Sequence, residues 1–433
     1  MYTLYGDGIH DDHPAIQELL DSGICEVSLP APKKHYLITK TLVIPSNCRL
    51  VLPRFAKIRL ADGANCFMLQ NKTVYSPAER THPELYKHEE KLGEHGKWVV
   101  DRYNFFVNDY SPAPEDTAQN IEIVGGIWDC NNIGQNPNPM QNGNYYEPYG
   151  FTGYGMLFYN VKNLTVRELT VKDPTNFSIT LDRVSYFTVK DIAFDFNFGN
   201  PIPLNMDGIH VNGNCHFGTI ETLKGRCFDD LVALNADEGS FGPITNITIR
   251  DIEAEGCHSA VRLLTVKNVV ENIHISDVFG SYYQYCIGLT KYYKGDTEGY
   301  FHAISLDRIY ATKADIAPIR ERVSAVRPTW GAKSCPLLWV QKDTRVKALT
   351  IDGVYRNETA MPLPTLVIGE NATVETLSLK NAYTENHTGV PMPLCQNDGK
   401  ISYLYTSNLH TDGDELFVGE GSVDHLYGEF DKN

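Results

Sequence analysis

NLTVRELTV at residues 163–171 is the first of nine stretches that repeat one pattern. Apolar and polar residues alternate in it, so one face is apolar and the other polar, as in a β-strand that lies on a core. The other eight share this alternation and are FTVKDIAFDF at 187–196, GTIETLKG at 218–225, NITIRDIEAEG at 246–256, NIHISDVFG at 272–280, AISLDRIYA at 303–311, VKALTIDGVY at 346–355, VETLSLKNAY at 374–383 and ISYLYTSNL at 401–409. Helical periodicity is absent from all nine, which predicts a protein built from strands.

The spacing of these stretches predicts how the strands are arranged. Between residues 163 and 303 their starts are 24 to 31 residues apart. The hairpin strands of a β-sandwich would recur at roughly 8–12 residues, a much shorter period. Stacked coils of a parallel solenoid give each strand two neighbours and a continuous core, which one unit could not form alone. We therefore expect an all-β fold, a right-handed parallel β-helix, as a single domain over 1–433.

The N-terminus is predicted to cap this solenoid. Acidic residues precede Pro14 in the stretch GDGIHDDHPAIQELL. Apolar residues then recur at helical spacing, namely Ala15, Ile16, Leu19 and Leu20. A short helix here would cover the open end of the core, which otherwise exposes unpaired backbone. Residues 1–52 are thus assigned to the cap and the first coils.

Three long excursions interrupt the strands, at 72–118, 131–150 and 313–345. Long loops on a rigid scaffold often carry binding surfaces, so we interpret these as candidate groove walls. An aromatic cluster follows the second excursion and either stacks on sugar rings or buries a loop; it comprises Tyr145, Tyr146, Tyr149, Phe151 and Tyr154. The third excursion is rich in lysine and arginine, which either meet an anionic substrate or form an oligomer contact.

The composition excludes several kinds of partner. The formal net charge of −16 argues against nucleic acid and membrane partners, because those require clustered lysine and arginine. The ten cysteines have no metal-binding spacing and are interpreted as mostly buried thiols, and no metal or other cofactor is expected. The chain has no recognisable leader and no run near the ~18 apolar residues of a membrane span. It is therefore predicted to be cytoplasmic, or secreted or periplasmic if a leader was removed, with its oligomeric state undecided.

Two acidic segments carry the candidate chemistry. Asp207 lies in NMDGIHV, and the pair Asp229 and Asp230 begins 22 residues later, in FDDLVAL. This separation is about one coil, and neighbouring strands lie about 4.8 Å apart, so three carboxylates are expected on one surface. Like charges at that distance raise at least one pKa, leaving one carboxyl as an acid and others as bases, as glycoside hydrolysis requires. A lone Asp-Asp pair would more often be structural; the third aspartate favours a site.

Other residues fall near the aspartates or in register with them. His258, one coil after Asp229, is predicted to complete the catalytic group, although a lone histidine is often only a core or turn residue. The predicted substrate-binding residues are Asn205, His210, Arg262 and Lys291. Arginine and lysine could contact sugar hydroxyls or a substrate carboxylate, or they could simply be solvated surface residues.

These residues resemble the motifs of the polygalacturonase-like glycoside hydrolases, family 28 of the pectin-lyase-like superfamily. Members carry N-T-D, then D-D one coil later, then G-H-G, then R-I-K; Asn205-Met206-Asp207, Asp229-Asp230 and His258 are similar to the first three. The opening GDGIHDDHPAIQELL resembles the N-terminal cap of the superfamily. The resemblance implies an inverting glycosidase in which Asp229 is the general acid, while Asp207 and Asp230 activate water.

The chain also departs from the family pattern. Phe228 stands before the Asp-Asp pair, and Cys257 and Ser259 replace the glycines beside the histidine. R-I-K is missing, because Gly288-Leu289-Thr290 stands in its place. In the family this motif grips the substrate, commonly through a uronate carboxylate, so its loss weakens the pectin interpretation and leaves a different or neutral sugar open.

Two other functions remain open at this point. A β-helix lyase would cleave uronates by elimination, with bound calcium and a basic residue as proton acceptor. The sequence argues against it because no lysine or arginine is expected within the aspartate group. A non-catalytic carbohydrate-binding β-helix would need only the fold.

Overall fold

The computed structural model describes residues 3–73, 117–135, 154–196, 206–291, 299–314 and 335–428. The greater part of the three predicted excursions lies outside these residues. Within the described part of the chain, no helix is both long and apolar enough to cross a membrane.

The described residues contain one α-helix, α1 (His13–Asp21), a short 3-10 turn (Asn132–Gly134) and 26 strands. The strands are β1 (Glu26–Ser28), β2 (Tyr36–Ile38), β3 (Leu42–Ile44), β4 (Cys48–Val51), β5 (Lys57–Leu60), β6 (Leu69–Asn71), β7 (Ala118–Val124), β8 (Ile127–Asp129), β9 (Met156–Tyr159), β10 (Val161–Lys172), β11 (Ile179–Asp182), β12 (Ser185–Asp195), β13 (Ile209–Asn212), β14 (His216–Arg226), β15 (Asp230–Asn235), β16 (Ile244–Leu264), β17 (Val269–Thr290), β18 (Tyr300–Lys313), β19 (Leu338–Val340), β20 (Arg345–Glu358), β21 (Leu366–Ile368), β22 (Thr373–Asn386), β23 (Cys395–Asn397), β24 (Lys400–Thr411), β25 (Phe417–Val418) and β26 (Ser422–Tyr427).

These strands pair in parallel along three ladders. The first ladder runs β1, β4, β7, β10, β12, β14, β16, β17, β18, β20, β22, β24 and β26. The second begins with β2, β5 and β8 and joins the second half of β10, after which one long strand per coil serves both ladders. The third runs β3, β6, β9, β11, β13 and β15, then the last parts of β16 and β17, then β19, β21, β23 and β25. This is the predicted parallel β-helix.

The core is a set of aliphatic columns that run through the coils. One column on the first ladder has a member from each of eleven successive strands, every one at most 2% exposed: Val27, Leu50, Ile123, Val166, Val189, Ile220, Ile249, Ile275, Leu306, Ile351 and Leu379. Burial of one such side chain stabilises the fold by about 1.5–3 kcal/mol. The inward positions of the repeated sequence pattern therefore supply the core.

Asparagines mark the start of several coils. Asn47, Asn120 and Asn163 have φ angles of 57°, 54° and 65°, a left-handed conformation that asparagine tolerates better than most residues. Their side chains bond in series, with Nδ2 to Oδ1 distances of 2.7 Å and 2.8 Å. Asn246 and Asn272 repeat the arrangement, at 3.1 Å. The asparagine that opens several of the repeated stretches thus has a structural role.

Helix α1 confirms the predicted N-terminal cap. Ile16 and Leu20 are buried in the main core, whereas Leu19 is 37% exposed. Asp12 precedes the helix but makes no side-chain cap. Its carboxylate instead accepts the backbone N–H of Tyr5 at 2.6 Å and of Leu37 at 3.2 Å, which ties the N-terminal segment to the first coils.

Candidate active site

The third ladder brings the predicted aspartates together. Ile209 pairs with Val232, so Asp207, two residues earlier, stands beside Asp230 one coil on. The backbone N–H of Asp230 donates to Asp207 Oδ1 at 3.3 Å. Asp207, Asp229 and Asp230 are only 2%, 6% and 1% exposed, and each offers an oxygen within 4.8 Å of the others. Coil counting in the sequence therefore located this group correctly.

His210 bridges two acidic residues. Its Nδ1 lies 2.7 Å from Asp207 Oδ2, and its Nε2 lies 3.1 Å from Glu238 Oε2. Phe177, on the coil before, stacks on the imidazole with 3.7 Å between ring centroids and 7° between planes. Both nitrogens and one face of the ring are thus engaged inside the protein.

Arg262 holds the other side of the site. Its Nε lies 3.2 Å from Asp230 Oδ2, and its Nη2 lies 3.5 Å from Glu238 Oε1. With the contacts of His210 and the N–H of Asp230, this closes a ring of three acidic and two basic residues. We call it the charge ring; its members are Asp207, His210, Glu238, Arg262 and Asp230.

Asp230 is held by two further hydroxyls. Ser259, in register one coil on, donates from Oγ to Asp230 Oδ1. Tyr285, in register two coils on, donates from its hydroxyl to the same oxygen at 3.2 Å. Asp230 is therefore fixed in one orientation on the third ladder.

Asp229 lies outside the charge ring. Its Oδ1 is 3.5 Å from Nδ1 of His258, which is completely buried. His258 immediately precedes Ser259, so the registered pair Asp230 and Ser259 brings it to Asp229. The predicted catalytic histidine thus lies beside the aspartate that the family resemblance makes the acid.

Burial dominates the electrostatics of the site. It raises the pKa of Asp207, and the charge of Asp229 adds to the rise while the hydrogen bond of His210 opposes it. It raises the pKa of Asp230 to about 7, against the charge of Arg262. The direction agrees with the sequence-based expectation, but the largest cause is burial and not mutual repulsion.

The two cationic groups stay charged. Burial lowers the pKa of His210, yet its hydrogen bonds with Asp207 and Glu238 outweigh this and raise that pKa to about 9. Burial likewise opposes the charge on Arg262, but Asp230 and Glu238 hold its pKa above the ordinary value.

The three aspartates are close enough for their oxygens to hold a cation. Arg262, however, already supplies positive charge to Asp230.

Several predicted residues are not part of this group. Asn205 lies outside the described residues, as do Tyr145, Tyr146, Tyr149 and Phe151. Tyr154 is buried between Phe67 and Phe177, so for this ring burial is the correct alternative. Lys291 directly follows β17, and its backbone N–H donates to Oε1 of Gln341 at 2.8 Å. Among contacts between described residues, none joins the Lys291 side chain to the aspartates.

Three residues of the site were missed in the sequence. Ser259 and Tyr285 are in register with Asp230 on the next two coils, and counting coils from Asp230 could have found them. Glu238 lies in the turn after β15, where strand register gives no guidance. Its part in the charge ring could be recognised only in three dimensions.

No family model and no curated protein matches the chain. Several solved structures, however, are similar to it. The family 28 exopolygalacturonase of Yersinia enterocolitica has a TM-score of 0.52 at 13% identity, over 100% of this chain and 77% of that one. The endo-xylogalacturonan hydrolase of Aspergillus tubingensis has a TM-score of 0.50 at 13% identity, over 97% and 98% of the two chains.

A third similar structure is a tailspike protein mutant of an E. coli bacteriophage, solved in complex with a pentasaccharide. Its TM-score is 0.50 at 11% identity, over 94% of this chain and 68% of that one. At such identities the likeness is one of fold. It confirms the predicted fold class, a right-handed parallel β-helix.

Proposed function

We propose that this protein is a glycoside hydrolase that cleaves a polysaccharide or oligosaccharide with inversion at the anomeric carbon. The observation that carries the proposal is the group of three buried aspartates on adjacent coils, with oxygens within 4.8 Å of one another. Such a group offers both a proton donor and a base beside one bond, which is what hydrolysis of a glycosidic bond needs.

The surroundings of the three carboxyls support different roles for them. Asp207 and Asp230 each contact a cation, His210 and Arg262 respectively, which opposes the rise in pKa that burial causes and so favours the ionised form that a base requires. Asp229 lies outside the charge ring, beside His258. We assign it as the general acid that protonates the leaving oxygen, with the other two aspartates activating water. The resemblance to family 28 implies the same roles.

The assignment of inversion rests on that resemblance and not on spacing. In general, the two carboxyl groups lie about 6.5–9.5 Å apart in inverting enzymes and about 5–5.5 Å apart in retaining ones. The oxygens of these three aspartates approach within 4.8 Å, which is nearer the retaining range. The anomeric form of the first product is therefore the measurement that decides the mechanism.

A lyase acting on uronates is the second candidate, because three close carboxylates could hold calcium. The expectation that no basic residue lies in this group was wrong, since Arg262 contacts Asp230 at 3.2 Å. Arg262 is nevertheless unsuited to abstracting a proton. Asp230 and Glu238 hold its pKa above the ordinary value, so it stays charged.

The test is a panel of polysaccharides incubated with wild type, Asp229→Asn and the control Asp251→Asn, which changes an exposed aspartate at a corner of the coil. A hydrolase releases reducing ends with wild type and the control but not with Asp229→Asn, and EDTA has no effect. Unsaturated products that disappear with EDTA would indicate the lyase. Binding without any product would indicate a non-catalytic carbohydrate-binding protein.

A further inference from the structure

We propose that the sugar held at the three aspartates is uncharged, so that the substrate is a neutral glycan and not a polyuronate. This inference rests on the proposed hydrolase function and names its substrate class. It follows from how the charge ring uses its two cations and from the surface next to Arg262.

Arg262 already has two acidic partners inside the protein. Asp230 and Glu238 approach it at 3.2 Å and 3.5 Å, and Asn235 Oδ1 lies 3.4 Å from its Nε. Its side chain is only 16% exposed. A uronate carboxylate would have to compete with two protein carboxylates for this guanidinium, and displacing Asp230 would take a buried carboxylate away from its cationic partner.

His210 is no more accessible to a substrate carboxylate. Its side chain is 2% exposed, and its nitrogens contact Asp207 and Glu238. Three carboxylates contact these two cations, namely Asp207, Asp230 and Glu238. A further carboxylate would therefore meet like charge at the cleavage point, which disfavours its binding.

The surface beyond Arg262 is aromatic. Gly288 follows it in register one coil on, and Trp339 follows Gly288. A Cβ at Gly288 would lie 2.8 Å from Cε2 of Tyr285, so the tyrosine ring occupies the space where a side chain would stand. The rings of Tyr285 and Trp339 are 5.8 Å apart, and Trp339 is half-buried. Tyr285 is only 2% exposed, so Trp339 is the ring that can receive the apolar C–H face of a sugar, a contact that does not depend on the charge of the sugar.

The test compares glycans that differ only in charge. Polygalacturonate and the same polymer after chemical reduction of its carboxyl groups share one linkage, and other uronate glycans give further matched pairs. Binding of oligosaccharides from each pair to Asp229→Asn is measured by calorimetry, and turnover is measured with wild type. For a pair whose sugar and linkage fit the site, we expect the neutral member to bind at least tenfold more tightly than the uronate member.

The two readouts separate the two proposals. If a neutral glycan bound but was not cleaved, the proposed hydrolase function would be refuted, while the proposed substrate class would still hold. Tighter binding of the uronate member, or no binding of any neutral member, would overturn the inference.

Two variants sharpen the test. Trp339→Ala should weaken neutral binding about tenfold, while Trp339→Phe keeps part of it. Glu238→Gln removes one acidic partner of Arg262 and should move the preference towards the uronate member, whereas the control Glu221→Gln, on the first ladder, should not. An unchanged preference in Glu238→Gln would show that the charge ring does not set the specificity.

Discussion

His210 joins Asp207 to Glu238, with Nδ1 at 2.7 Å from one carboxylate and Nε2 at 3.1 Å from the other. One imidazolium thus neutralises part of two acids, of which the Asp207 side chain is 3% exposed and the Glu238 side chain 18% exposed. The imidazole also stacks on Phe177, which is only 3% exposed. We therefore expect His210 to affect both the stability of the fold and the charge of the candidate site.

His210 should make stability depend on pH. Its pKa is about 9 in the folded protein and 6.5 as the ordinary value, so its stabilisation is complete below pH 6.5 and is lost as pH rises to about 9. His210→Gln removes a buried charge partner and should cost about 3–5 kcal/mol near pH 6. Urea unfolding of this variant should show a smaller fall in stability between pH 6.5 and 9. The exposed His387→Gln serves as control and should follow wild type.

Asp229→Asn should lower turnover by about 10²–10⁴-fold while folding and substrate binding persist, because the amide keeps the shape but cannot deliver a proton. Asp207→Asn and Asp230→Asn should also be severe. The losses should not add, since residues that act as one unit each remove most of the activity. Steady-state kinetics with circular dichroism checks this, and near-normal turnover of Asp229→Asn would refute its assignment as the acid.

The anomeric form of the first product tests inversion. Proton NMR during the first minutes of reaction should detect the configuration opposite to that of the substrate. A retained configuration would mean that one aspartate forms a covalent intermediate, which the short distances between carboxyl oxygens would then explain.

Activity should rise with pH on the acidic side of the profile. Burial, with the charges of Asp229 and Asp207, raises the pKa of Asp230 to about 7 although Arg262 opposes this. A base must be ionised, so kcat/KM should climb through a midpoint near 7. Tyr285→Phe removes a hydrogen bond to Asp230 and should move the midpoint upward. A midpoint near the ordinary carboxyl value would show that Asp230 is not the titrating base.

Gly280 should tolerate no side chain. Its φ is +126°, and an added Cβ would lie 1.7 Å from the carbonyl oxygen of Ala254 on the neighbouring coil. Gly389 also has a positive φ, +74°, but open space around it. Gly389→Ala should therefore cost about 1–2 kcal/mol, and Gly280→Ala roughly 1–3 kcal/mol more. Equal losses in thermal or urea unfolding would mean that the coils do not stack so closely there.

The cysteines should differ in reactivity. Seven are buried, Cys66 and Cys335 are partly buried, and Cys25 is exposed. Burial raises the pKa of Cys66 to about 11, which suppresses its thiolate. A thiol reagent should label Cys25 rapidly in the native protein and all ten cysteines after denaturation. Rapid native labelling of a buried cysteine, read by mass spectrometry, would contradict this packing.

The sequence by itself determined the fold and the position of the aspartates. The alternation of apolar and polar residues in stretches such as 163–171 is a local property of the sequence. Because a strand has only two faces, this pattern predicts which side chains face the core. In a solenoid, counting residues also predicts which positions lie side by side on neighbouring coils, because the strand register repeats at nearly fixed spacing. For this reason the sequence alone could place Asp207 beside the Asp229–Asp230 pair.

Only the tertiary structure decided what surrounds those aspartates. Glu238 comes from a turn, and the Tyr285 side chain crosses from two coils away to reach Asp230. Arg262 is bound by acids instead of open to a substrate, while Lys291, just after β17, takes no part in the described contacts of the site. The direction and burial of these side chains depend on packing between coils. Alternation along one strand cannot predict that packing.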